Sequence, residues 1–148
     1  MSDALHQQIL DAYEATLATL DLGGTQGRIY QTMTFNDAWA ANVTFPCLVL
    51  APVGTEQVLS GTSSTDEIGY PVTVRIVDRQ SSETQQLGDY LLWLQTIRDA
   101  FHNQRLARVD EVYWSEFQSS PIPEPGLEAY QIISMPRIFQ VRTRWIRS

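Results

Sequence analysis

Two histidines, one cysteine and a few adjacent acids are the side chains of this 148-residue chain that could hold a metal or move a proton. His6 and His102 have no Cys, Asp or Glu at metal-ligand spacing. The first falls in the opening turn of a predicted surface helix and the second near the end of another, so both read as solvated or capping residues. Cys47 sits in the apolar run Cys47–Ala51 and reads as a small core side chain, not a nucleophile. The neighbouring acids Asp66-Glu67 and Asp110-Glu111 lack a third ligand. Gly23–Gly27 (GGTQG) is no phosphate loop, because it lacks the GK[ST] ending and follows a helix instead of a strand. Gly61-Thr62-Ser63-Ser64 departs from the G-x-S-x-G elbow. The residues therefore point to no catalytic site, no metal and no cofactor. An enzyme would require a deep pocket gathering Arg75, Asp78 and His102.

Arg142, Arg144 and Arg147, beside Trp145, form a basic and aromatic cluster. It fits a solvated strand face, an ion-pairing edge against an acidic neighbouring subunit, or a nucleic-acid contact. Net charge weighs against the last, since 17 acids against 10 arginines and no lysine give −7, and phosphate binding needs a basic surface. The distribution is more telling than the total. Residues 1–69 carry eight acids against Arg28 alone, whereas residues 70–148 carry nine acids and nine arginines. A subunit acidic in one half and basic at its last strand can pair head to tail with its own copies.

The elements that must position these residues follow from hydrophobic period. Tyr70–Arg79 (YPVTVRIVDR) alternates Tyr70, Val72, Val74 and Ile76 against Thr73, Arg75 and Arg79, which predicts a sheet strand with one packed face. Its other face, with Thr73 and Arg75, would be solvated surface in a monomer and would line a lumen or meet a neighbour in a ring. Leu5, Ile9, Tyr13, Leu17 and Leu20 predict a first helix, with Ser2 or Asp3 as cap and Gly23-Gly24 as stop. Leu87, Tyr90, Leu91, Leu94, Ile97, Arg98 and Phe101 predict a second, with Trp93 off the stripe, facing the first helix or a partner. Arg28–Thr34, Cys47–Pro52, Val109–Gln118 and Leu127–Ile133 read as strands. Pro136 is expected to break the last of these before Ile138–Ile146 closes the chain. The whole is α+β: a mainly antiparallel, mixed sheet of four to five strands with two helices on one face. One domain over 1–148 is expected, with a flexible Gly/Ser/Thr-rich loop at about 54–69 that carries Asp66 and Glu67. No run approaches the ~20 apolar residues of a membrane span, and the opening MSDALHQQ lacks the basic and apolar regions of a signal peptide, so a cytoplasmic product is expected.

Taken in order, a short first helix, a strand ending CLVLAP, an acidic loop, IGYPVTVRIVDR, the helix LLWLQTIRDAF and a last strand with alternating arginines resemble the tail terminator, tail completion and neck (head–tail joining) proteins of tailed bacteriophages. The resemblance spans most of the chain and rests on pattern, so it carries over no individual functional residue. It implies a virion protein of the tail or neck, assembled in the host cytoplasm without chemistry of its own. Its subunits would form a ring, commonly a hexamer, that caps the tail tube and docks the head connector. The expected partners are then its own copies, the tail-tube protein and the connector, with no membrane and no sequence-specific nucleic acid. Arg75, Arg142, Arg144, Arg147, Trp145, Asp66 and Glu67 are the expected subunit or partner contacts. A non-enzymatic module binding a small ligand or a protein on its sheet face is the alternative.

Overall fold

The computed structural model describes residues 4–32, 43–52, 57–61, 65–79, 85–106, 112–119 and 132–146. Its elements are α1 (Leu5–Leu17), β1 (Ile29–Gln31), β2 (Cys47–Pro52), β3 (Gln57–Gly61), β4 (Thr65–Arg79), α2 (Gln85–Phe101), β5 (Val112–Ser119) and β6 (Ile132–Ile146). The strands form one mixed sheet in the order β1-β2-β4-β6-β5, with β3 also paired to β4. Only the β1–β2 pair is parallel among these. The expected α+β class is the one observed.

Alternation along β4 divides the sheet into two faces. Tyr70, Val72, Val74 and Ile76 turn to one side, joined there by Leu48 and Leu50 of β2 and by Phe139 and Val141 of β6, and both helices cover that side. Helix α1 contributes Ile9, Tyr13 and Leu17, all fully buried, and α2 contributes Tyr90, Leu94, Ile97 and Phe101. Full burial of an aliphatic or Phe side chain stabilises by about 1.5–3 kcal/mol, so this single layer supplies most of the folding drive. Four rings join the layer's parts. Tyr13 stacks on Phe101 at 3.9 Å between centroids, and Phe139 meets Tyr13, Phe101 and Phe117 edge-on at 5.5–5.9 Å.

Several boundaries differ from the sequence expectation for physical reasons. The N-cap of α1 is Ala4, with no side-chain capping bond; Ser2 and Asp3 lie outside the described residues. Helix α1 ends at Leu17, and Gly23 and Gly24 (φ 67° and 81°) shape the turn beyond it instead of stopping it. Trp93 fills the space beside Gly23 and so packs within the chain. The buried arc of α2 is rotated from the expected stripe, because the Tyr90 hydroxyl donates to Asp78 Oδ2 at 2.6 Å. That turns Leu91 outward to 53% exposure. Of the expected strand Leu127–Ile133, residues 127–131 lie outside the described residues, and β6 starts at Ile132 and runs through Pro136 without a break. Pro136 lies past the last β5 pair (Ser119 with Ile138), where β6 has one edge without a described strand.

Pro71 is accommodated in the middle of β4 by a similar gap. Strand β2 pairs with Val72–Val77 and β3 with Asp66–Gly69, leaving residues 70 and 71 between them. His6 reaches into that gap, with its Nε2 3.0 Å from the Pro71 carbonyl and its ring edge-on to Tyr70. N–H and C=O of one strand residue point the same way, so the position without an N–H loses no ladder bond. His6 thus docks α1 on the sheet instead of being solvated. Within the stretch expected as a flexible loop, Gln57–Gly61 and Thr65–Gly69 are paired strands.

Candidate assembly surface

Gly69 stands opposite Arg142 in the β4–β6 register, and a Cβ there would collide with the side chain of Gln140. The missing side chain leaves room for Gln140 and Arg142 to lie on the face away from the helices. Arg142 then spans three strands. Its Nε and Nη2 donate to Glu116 Oε1 of β5 at 3.0 and 2.8 Å, and its Nη1 donates to Glu67 Oε1 of β4 at 2.9 Å. Those bonds hold the guanidinium above its ordinary pKa, the bond to Glu116 most of all and the bond to Glu67 next. One cation between two carboxylates leaves the cluster with a net charge of −1, a value that follows from the three side chains alone. Arg142 is engaged inside its own chain, and the clamp is a strand tie as much as a surface feature.

The remaining expected contacts fall into separate places. Arg75 is buried at 9% exposure on the face away from the helices, between Val49 of β2 and Pro136 of β6, and Thr73 beside it is at 6%. That face is therefore closed at the centre of β4, not the open lining expected from alternation. Asp66 and Glu67 are strand residues opposite Trp145 and Arg144 at the far end of the β4–β6 pair. Arg147 lies outside the described residues, as do Asp110 and Glu111. An enzymatic gathering of Arg75, Asp78 and His102 does not form: Asp78 accepts from Tyr90 on the helix side, Arg75 points to the opposite side, and His102 Nδ1 accepts the Phe117 N–H at 3.0 Å. Cys47 is fully buried, and its thiol is pushed up to about 12 by burial, then by the Asp78 charge, with Arg28 opposing. Among the described residues no group of three or more His, Cys, Asp or Glu is placed to hold a metal. No described helix is long and apolar enough to cross a membrane.

Two features of opposite charge were not singled out from sequence. At the β1 edge, Asp11, Glu14, Ala15, Ala18, Gly27 and Ile29 help to line an open depression of about 460 Å³. Its carboxylates are bridged by amides: Gln7 and Gln31 both donate to Asp11 Oδ1, at 2.9 and 2.8 Å, and Gln31 also reaches Glu14 at 3.5 Å. At the other side of the sheet, Arg137 of β6 lies over the Phe117 ring of β5 at 5.2 Å. Its Nε is buried with no hydrogen-bond partner. Burial, then the nearby Arg98 charge, lowers its pKa. Arg137, Arg142, Arg144 and Arg147 all fall in the last twelve residues of the sequence, but nothing there marks Arg137 as the half-buried one.

No protein-family profile and no curated protein sequence matches this chain. Its fold is similar to that of a chain in the solved structure "Virion of native gene transfer agent (GTA) particle", with a TM-score of 0.68, 12% sequence identity, and coverage of 97% of this chain and 100% of that one. At that identity the likeness is one of fold.

Proposed function

We propose that this chain is a structural subunit of a phage-like virion, and more narrowly a tail terminator or head–tail joining protein whose copies form a ring. The ring would cap the tail tube and present a docking surface to the head connector, without catalysis. The observation that carries the reading is the end-to-end fold likeness, 97% of one chain on 100% of the other, to a protein within a virion particle. Charge supports it as well. A ring requires two different, complementary patches on each subunit, and acidic and basic groups here sit toward opposite edges of one sheet.

Solution mass and electron microscopy test the reading together. Purified chain, alone and mixed with tail tubes from the same particle, is expected to give closed rings several subunits in mass, seated at tube ends. Chain that stays monomeric in both conditions and leaves tube ends bare would overturn it.

A further inference from the structure

Arg137 has an environment that the described residues do not complete. Its guanidinium is half-buried, its Nε has no acceptor, and among the described residues no carboxylate pairs with it. A charge of the same sign acts on it, that of Arg98, whose Nε and Nη2 both donate to its exposed neighbour Asp99 at 3.2 and 3.1 Å. A desolvated cation is costly unless an anion and hydrogen-bond acceptors accompany it. On the flank of α2 that carries Arg98, seven residues and about two turns away, Leu91 is 53% exposed.

A feature of complementary charge is present on the same chain. Asp11 and Glu14 lie in the depression at the β1 edge, and among the described residues only glutamine amides bond to them. Strand order places β1 at one end of the sheet and β5, with its Arg137-bearing neighbour β6, at the other. Both features are on the helix-covered side, since α1 supplies the acids and α2 supplies Arg98. Groups of opposite charge at the two ends of one layer suit a head-to-tail contact, which closes into a ring when the rotation permits.

We propose that Arg137, with Arg98 beside it, receives the carboxylates of Asp11 and Glu14 from a second copy of this chain. The inference rests on the ring reading above and specifies which surfaces meet. Charge exchange tests it. Arg137→Glu is expected to raise the concentration needed for assembly about tenfold or more, and Asp11→Arg with Glu14→Arg to do the same. Equimolar mixing of the two variants restores assembly, because each supplies the sign the other lacks. Arg137→Gln controls for folding. It removes the contact over the Phe117 ring but no hydrogen bond or ion pair among the described residues, so its melting temperature stays close to wild type while assembly is still weakened. Wild-type rings that persist with Arg137→Glu, or variants that mixing fails to rescue, overturn the pairing and leave the ring reading standing. Rings that form normally but no longer join tails would assign Arg137 to another virion protein and also overturn it. Wild-type chain that forms no ring under any condition overturns both.

Discussion

The Tyr13 hydroxyl lies 2.6 Å from Ser115 Oγ, which ties the middle of α1 to β5 through the core. Both groups are fully buried. Removing one leaves the other desolvated and unpaired, so Tyr13→Phe and Ser115→Ala should each cost about 1–3 kcal/mol. The double substitution should cost less than their sum. Urea denaturation of the four proteins measures the coupling, and strict additivity would mean the bond contributes nothing.

Alkaline pH should unfold the protein through its buried weak acids. Burial raises Tyr13 and Tyr90, in the latter case aided by the bond to Asp78, and raises Cys47 from 9.0 to about 12. A group raised in the fold keeps its proton where the unfolded chain has lost it. Stability is therefore fully present below about pH 9 and falls between 9 and 12 as the unfolded chain ionises first. Thiol-reagent labelling of Cys47 should be slow at neutral pH and should accelerate in step with loss of circular dichroism. Rapid labelling of folded protein would contradict the buried placement.

The two glycines after α1 should respond unequally to alanine. Gly24 (φ 81°) has open space around its would-be Cβ, so Gly24→Ala pays only backbone strain, about 1 kcal/mol. Gly23 (φ 67°) adds a clash with Trp93 at 2.5 Å. Gly23→Ala should cost about 2–4 kcal/mol and shift the tryptophan emission. Equal melting temperatures for the two variants would refute this difference.

The Arg142 clamp should contribute modestly. Its side chain is 35% exposed and those of Glu67 and Glu116 are 24% and 25%, which limits Arg142→Met to about 1–2 kcal/mol after screening. Near 1 M salt, where screening acts within about 3 Å, the difference from wild type should shrink. A loss unchanged by salt would show packing, not charge, to be responsible.

Much of the fold was legible because hydrophobic period reports which face of an element is covered. Tyr70–Ile76 and the α1 stripe were both identified that way. Period says less about rotation within a broad apolar helix surface: Tyr90 and Leu91 are adjacent and both fit, and a hydrogen bond to a residue twelve positions away decided between them. Pairing across strands is less legible still. Arg142 could be seen as polar and outward, but its partners come from β4 and β5, and only the register brings Glu67 and Glu116 to it. The same holds for Arg137, whose desolvation depends on Phe117 beneath it. Pro136 misled for a related reason, since proline forbids a hydrogen bond only where a neighbouring strand would make one.

Strands β4 and β6 are paired without interruption from Thr65 opposite Ile146 to Arg79 opposite Ile132. Fifteen residues at about 3.3 Å each make a twisted beam about 50 Å long. One end carries Asp66 and Glu67, and the other carries Asp78, to which α2 is bonded. A ladder of continuous backbone hydrogen bonds resists bending far more than rotation about its mounting. A load applied at the Thr65 end would therefore tilt the whole subunit as a lever and reach the α2 end as rigid displacement, with little absorbed on the way.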